Sequence, residues 1–243
     1  MKLEKKVIDW ACSLSGCDGG NLNAPIWISG IEWGGGDEEY YTKQLPEEIE
    51  NGKYTPGKIY NWKDSLKYKY GISLAKLIAS YNGFDISEYK NFVDRCSGNE
   101  IFKLNLYPIA FKSTTDDAWE KYNLPELIGF QEKNLFKTWC FLHRFPKIAN
   151  MVKKYSPKII ICTGVDYLND FFSCYAGHID IETPINYLEI QPASESNSHK
   201  RRLYWSKINK NTTLCVVPFF SGVYGLNSDD ILQKFGHELR NIS

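Results

Sequence analysis

The sequence predicts an α/β fold, a three-layer α/β/α sandwich around a mostly parallel central sheet. Short runs of β-branched and other apolar residues at 26–29, 159–162 and 213–217 are typical of strands covered on both faces. Stretches with helical periodicity separate these runs, and strands that alternate with helices favour a parallel sheet between two helical layers. The 243 residues, 43% of them hydrophobic, predict one globular domain over residues 1–243.

The helices follow from periodicity and from their end signals. We expect an amphipathic helix ending before Gly16, a helical stretch over 62–81 interrupted at Gly71, and a closing helix capped by Ser228. Residues 115–156 are mostly helical in pattern, with breaks at Pro125 and Pro146. Further strands are predicted over residues 100–107, 185–190 and 201–208.

The charge balance limits which partners the chain can have. Lys+Arg and Asp+Glu both total 29, so the formal net charge is zero and a surface that is basic throughout is excluded. The seven cysteines are odd in number, scattered and mostly set in apolar runs, which favours reduced thiols and a cytoplasmic protein. No second pair at metal-ligand spacing follows Cys12 and Cys17, so we expect no metal and no cofactor.

No segment of the sequence predicts contact with a membrane. The opening residues "MKLEKKVIDWACSLSG" lack the apolar core of a signal peptide, and no stretch approaches the length of a bilayer span. The oligomeric state has no signal in the sequence.

Four predicted strand ends define one candidate site. In an open α/β sheet, ligands bind beyond the carboxyl ends of the strands. The segments at those ends read "GIEWGGG", "NLYPIAF", "TGVDY" and "PFFSGVYG". We therefore expect Glu32, Asn105, Tyr107, Gly164 and Ser221 to line one cleft, together with Trp33.

The order of these strand-end motifs resembles that of the uracil-DNA glycosylase superfamily. That family begins with a strand and a G-x-D-P or G-x-N-P turn, onto which residues 30–33 fall, and its last motif is a strand leading into H-P-S. The resemblance places Glu32 at the water-activating Asp or Asn, Asn105 near a base-reading Asn, and Ser221 at the Ser of the last motif. "IIICTGVDYLNDF" is similar to the family's apolar strand with its L-x-G-x-x-A turn. The implied function is binding of a nucleobase or nucleotide, with hydrolysis of an N-glycosidic bond in DNA as the reaction.

The sequence also departs from the family pattern. Phe219 and Phe220 stand at the His and Pro of the last motif, and Trp33 replaces the proline of the first. The imidazole that stabilises the departing base is therefore missing. Whether the chain is an enzyme stays open. The alternatives are a non-catalytic protein that binds nucleic acid or a modified base as a sensor or regulator, and an interaction protein that kept only the fold.

Each candidate residue has a chemical role and a structural alternative. Cleavage at the sugar builds an oxocarbenium-like cation, which the Glu32 carboxylate could stabilise while it orients water. Asn105 could bind a base edge, and an extruded base needs an aromatic platform. Candidates by position for that platform are Trp33, Tyr40, Tyr107, Phe111 and Phe219. The alternatives are that the three glycines only permit a tight turn, that Glu32 is a solvated or salt-bridged carboxylate, and that Asn105 only closes a strand end.

The segment "HKRRLYWSKINK" combines cations with aromatic residues, a pattern that suits contact with nucleic acid. The candidate contacts are Lys200, Arg201, Arg202, Tyr204 and Trp205. Strand alternation sends Arg202 and Tyr204 to one face and Arg201 and Trp205 to the other, so half of the set could pack inward. A solvated basic edge strand is the alternative.

Overall fold

A single mixed sheet organises the chain. The computed structural model describes residues 2–32, 34–112, 117–177, 182–193 and 199–243. The strands are β1 Cys17–Gly20, β2 Ile26–Gly30, β3 Ile101–Asn105, β4 Ile159–Thr163, β5 Asn186–Ile190, β6 Arg201–Lys207 and β7 Thr213–Val217. They form a seven-stranded sheet in the order β1-β3-β2-β4-β7-β6-β5.

The centre of this sheet is parallel and its edges are antiparallel. β3, β2, β4 and β7 run in one direction. β1 is antiparallel to β3 at one edge, and β6 and β5 form an antiparallel pair at the other. The predicted α/β class with a mostly parallel centre is confirmed.

Helices cover both faces of the sheet. They are α1 Lys5–Ala11, α2 Leu45–Asn51, α3 Trp62–Ser65, α4 Lys69–Tyr81, α5 Tyr89–Arg95, α6 Ala118–Lys121, α7 Leu124–Ile128, α8 Lys133–His143, α9 Phe145–Tyr155, α10 Leu168–Tyr175 and α11 Asp229–Ile242. Among the helices of the described residues, none has both the length and the apolar composition to cross a bilayer.

Strand alternation divides the interior into two cores. In β4, Ile160 and Cys162 face a core built with α1, α2, α8, α9 and α10. Ile159 and Ile161 face the other core, built with α4, α5 and α11. The continuous apolar run of β4 therefore has the cause that the sequence predicted, burial on both faces.

The helix-end signals are mostly correct. Pro125 and Pro146 lie in the first turns of α7 and α9, where a missing N–H costs nothing, and the Ser228 hydroxyl accepts from the Ile231 N–H at 3.4 Å. The predicted interruption at Gly71 is wrong by a few residues, because the break falls between α3 and α4 and Gly71 lies inside α4. A Cβ at Gly71 would overlap the Ser65 carbonyl, so the glycine permits the close packing of α3 on α4.

Two elements have no counterpart in the sequence prediction. β1 contains Gly19 and Gly20, both with φ of +109°, so no β-propensity marks it. A Cβ on Gly20 would overlap the Ile101 carbonyl of β3, so only glycine allows this edge strand to pair. α2 follows a π-helical turn, Tyr40–Gln44, and is also unpredicted.

Arg144, between α8 and α9, is fully buried and joins three parts of the chain. Its guanidinium donates six hydrogen bonds, to the carbonyls of Leu106, Ala11, Ser13, Ser15 and Asn105 and to the Ser15 hydroxyl. The acceptors come from the segment after α1 and from the end of β3. Burial lowers the pKa of Arg144 from its usual value, as expected for a cation held only by neutral dipoles.

Arg144→Lys should destabilise the protein by at least about 3 kcal/mol, because an ammonium cannot reach all of these acceptors and leaves several buried carbonyls unpaired. Urea unfolding measures this free energy. Arg202→Lys, on an exposed side chain, is the matched control and should leave the midpoint unchanged. Equal midpoints for the Arg144 variant and the wild type would contradict the assigned role.

Candidate functional site

A large cavity lies where the connections from adjacent parallel strands diverge. β3 lies on one side of β2 and β4 on the other, which is the arrangement at which open α/β sheets form a ligand crevice. The cavity has a volume of about 940 Å³. It is lined by the residues after β2, β3, β4 and β7, and by the segment around α3 and the start of α4.

The glycines after β2 form one wall of this cavity. Gly34 and Gly35 both line it, and neither has a positive φ. A Cβ at either position would meet no atom of the described chain within 4 Å. Gly36 differs, because a Cβ there would overlap the Tyr41 hydroxyl. Neither packing nor a left-handed turn therefore requires glycine at 34 and 35, and both positions present bare backbone to the cavity.

Glu32 lies on the cavity wall and is ion-paired. Its side chain is 6% exposed, and its Oε1 is 3.1 Å from Lys133 Nζ at the start of α8. The Lys133 ammonium also lies 3.3 Å from the centre of the Phe111 ring. The Tyr107 N–H donates to the Ile31 carbonyl at 2.9 Å and so fixes the backbone beside Glu32. Glu32 is therefore a buried carboxylate held by a cation, not a solvated one.

Asn105 ends β3 and lines the same cavity. It is 3% exposed, and its Nδ2 donates to the Gly16 carbonyl at 3.0 Å. This bond directs Oδ1 toward Gly30, where a Cβ would lie 2.5 Å from that oxygen. Gly30 thus has to be glycine. The Asn105 amide closes the strand end and also presents an acceptor at the cavity.

Aromatic side chains form the opposite wall. The Phe219 side chain is 48% exposed, and its ring centre lies 5.9 Å from that of Tyr70. The Tyr70 hydroxyl lies 3.2 Å from Thr163 Oγ1, and because Thr163 donates to the Ser29 carbonyl, Tyr70 is the donor of the pair. Both faces of the site are thus tied to the ends of β2 and β4.

A second ion pair, Lys103 and Asp18, also lines the cavity. Lys103, in the middle of β3, is hydrogen-bonded to Asp18 of β1, and its side chain is only 13% exposed. Burial disfavours the ammonium, but Asp18 and the nearby Tyr70 outweigh burial and raise the pKa of Lys103 above its usual value. The Lys103 ammonium also lies 4.7 Å from the centre of the Tyr70 ring.

Tyr107 does not share the cleft, and this part of the prediction is wrong. Tyr107 and Leu106 both face the core on the α8 side, so strand alternation ends at Asn105. Tyr107 lines a separate cavity of about 330 Å³ and donates to Asp170 at 2.6 Å. Burial and the Asp170 carboxylate raise the pKa of Tyr107.

Ser221 is also misplaced by the prediction, and Trp33 lies outside the described residues. Phe220 turns into the core with 7% exposure, and the chain then leaves the cavity, so Ser221 is exposed and does not line it. Of the residues predicted for the site, the structure thus brings together Glu32, Asn105, Phe111, Gly164 and Phe219.

Arg201, predicted as a nucleic-acid contact, does not lie on the surface. Its side chain is buried, and its guanidinium donates to the carbonyls of His199, Val223 and Gly225, which holds the loop after β7. Lys200 and Arg202 remain exposed, and both pair with Glu189 of β5, at 2.9 and 3.2 Å. The one carboxylate of Glu189 therefore offsets part of the positive charge of these two residues.

The two aromatic residues of that segment do not form one surface. Tyr204 and Trp205 pack partly against the two different cores, on opposite faces of β6. The structure therefore shows the predicted alternation of side chains between the two faces of β6.

The sequence analysis missed several residues of the cavity wall, among them Asp18, Tyr70 and Lys103. It also missed Lys133, which does not line the cavity but pairs with Glu32. Lys103 gave a usable signal, since a lysine inside an apolar strand and two residues before Asn105 faces the same side as Asn105. Within the described ranges, no three His, Cys, Asp or Glu side chains cluster as metal ligands, and the seven cysteines are free thiols.

The Glu32–Lys133 pair should show a strong energetic coupling. Lys133→Met removes the ammonium beside a buried carboxylate and should destabilise the protein by about 1–3 kcal/mol, whereas adding Glu32→Gln to it should restore part of the loss. A double-mutant cycle by urea unfolding measures the coupling, expected to be at least about 1 kcal/mol. Additive effects of the two changes would show that the pair does not hold Glu32.

Comparison with known proteins gives no assignment. No protein-family model matches the sequence, and no protein of curated function is significantly similar to it.

Proposed function

We propose that the chain binds a nucleobase or nucleotide in the strand-end cavity, as a divergent protein with the uracil-DNA glycosylase-like fold, and hydrolyses an N-glycosidic bond there. One observation supports the proposal most directly. The Glu32 carboxylate, the Asn105 amide and the exposed Phe219 ring all line one cavity at the switch point of a parallel sheet. A planar base needs an aromatic surface and an edge acceptor or donor, and the sugar beside it needs a carboxylate.

The chemistry assigns each residue a place relative to the ligand. The base lies against Phe219 with its edge toward Asn105. Glu32 faces the sugar, where its negative charge stabilises the cation that develops as the C1′–N bond lengthens. The bare backbone at Gly34 and Gly35 lets the ligand approach the chain closely.

A second candidate, a non-catalytic binding protein, has its own support. Lys133 lies 3.1 Å from Glu32 and offsets the charge that would stabilise a cationic sugar. Phe219 stands where the resembled family carries a histidine, so no imidazole supports the departing base. Both features leave ligand binding intact and weaken catalysis.

Gly35→Ala tests the cavity itself. The added methyl meets no described atom, so the melting temperature should stay unchanged, while the affinity for nucleobases should fall by about tenfold if the ligand touches this backbone. Isothermal titration with uracil, hypoxanthine and xanthine measures the affinity. Gly57→Ala, at an uncrowded glycine outside the cavity, should change neither quantity. Undiminished affinity in Gly35→Ala would remove the glycine wall from the site.

Glu32→Gln separates catalysis from binding. The amide keeps the shape and loses the charge, so the single-turnover rate of base release should fall by about 100-fold or more while affinity changes little. The substrates are single- and double-stranded oligonucleotides that carry uracil, hypoxanthine or xanthine. Glu48→Gln, a carboxylate outside the cavity, is the matched control.

Release should be faster for bases that leave easily, because Phe219 offers no hydrogen to a negatively charged leaving group. Equal release by the wild type and Glu32→Gln, or none by either, would end the catalytic proposal and leave the binding one.

A further inference from the structure

The cavity is larger than a nucleobase requires. It has a volume of about 940 Å³, and Asp18, Tyr60 and Asp64 line it in addition to Glu32 and Asn105. Cavities of this size hold ligands with several rings or a ring with a polar substituent. A base bound beside Asn105 would thus leave room for an attached sugar.

The cavity wall presents carboxylates whose lysine partners are already engaged. Lys103 bonds to Asp18, and Lys133 pairs with Glu32. Asp64 binds the Nζ of Lys67 at 2.6 Å, and neither Lys67 nor Lys133 lines the cavity. Four carboxylates line the cavity, Asp18, Glu32, Asp64 and Asp166, against two lysines, Lys103 and Lys112. The wall is therefore rich in oxygen acceptors, which suit hydroxyl donors and disfavour a phosphate.

The basic segment "HKRRLYWSKINK" does not supply a phosphate site either. Arg201 is buried on backbone carbonyls, and Lys200 and Arg202 pair with Glu189. Lys112 and the start of α4, at Lys69, are features near the cavity that favour an anion. The four carboxylates that line the cavity outnumber these positive features.

We propose that the ligand is an uncharged nucleoside rather than a nucleotide or a nucleic acid, an inference that rests on the proposed function. The base lies beside Phe219 and Asn105. The sugar lies beside Glu32, and its hydroxyls donate to Asp18 and Asp64. In hydrolysis the C1′–N electron pair leaves with the base, water adds at C1′, and Glu32 accepts the proton that the water loses, while the base takes a proton from solvent.

Titration calorimetry with inosine, inosine 5′-monophosphate and a single-stranded deoxyinosine 12-mer tests this inference. The wild type should bind inosine about tenfold or more tightly than the monophosphate. Asp18→Asn should reduce the ratio of the two affinities to about threefold or less. The change weakens the hydrogen bond to the sugar and leaves the Lys103 ammonium able to attract the phosphate. Asp94→Asn, exposed on α5, is the control and should keep the wild-type ratio. Melting curves check that each variant is folded.

The outcomes distinguish the two proposals. Tighter binding of the monophosphate or the 12-mer by the wild type would overturn the nucleoside inference and leave the proposed function standing. An unchanged ratio in a folded Asp18→Asn would also overturn it. Failure of hypoxanthine, inosine, the monophosphate and the 12-mer to bind would overturn both.

Discussion

The buried guanidinium of Arg144 is the constraint on which the site depends. It binds the carbonyls of Asn105 and Leu106, and the N–H of Leu106 in turn donates to Gly30 at 3.0 Å. These bonds fix the ends of β3 and β2 relative to each other, and with them the Asn105 amide and the backbone that leads to Glu32. Burying a cation among neutral carbonyls costs free energy of desolvation. We therefore infer that Arg144 contributes more to the positioning of these strand ends than to the net stability of the fold.

The ion pairs of the cavity likewise combine a desolvation cost with a fixed geometry. The pairs Asp18–Lys103 and Glu32–Lys133 are both largely shielded from water, where desolvation offsets much of the attraction between charges. Apolar residues could fill these positions at equal stability. What the pairs provide is a polar wall of fixed orientation, which distinguishes ligands by the hydrogen-bonding groups that they present.

The fold was predictable where burial dictates the sequence, and the site only in part. The apolar runs of β2, β4 and β7 indicate burial on two faces. Glu32 and Phe219 follow β2 and β7, and Asn105 ends β3, at the same edge of the sheet. β1 was not predicted because its glycines allow two backbones to approach closely and show no β-propensity. The prediction for Tyr107 was wrong because the alternation of side chains ends where the chain leaves the strand. Lys133 was not predicted because its partner, Glu32, is 101 residues away in the sequence.

A crystal structure of the protein soaked with inosine tests the central claim most directly, because it shows where the base and the sugar lie. The account predicts the base against Phe219, with its edge within about 3.2 Å of the Asn105 amide, and the sugar beside Glu32. Inosine density in the separate cavity beside Tyr107 and Asp170, with the strand-end cavity unchanged, would contradict the account.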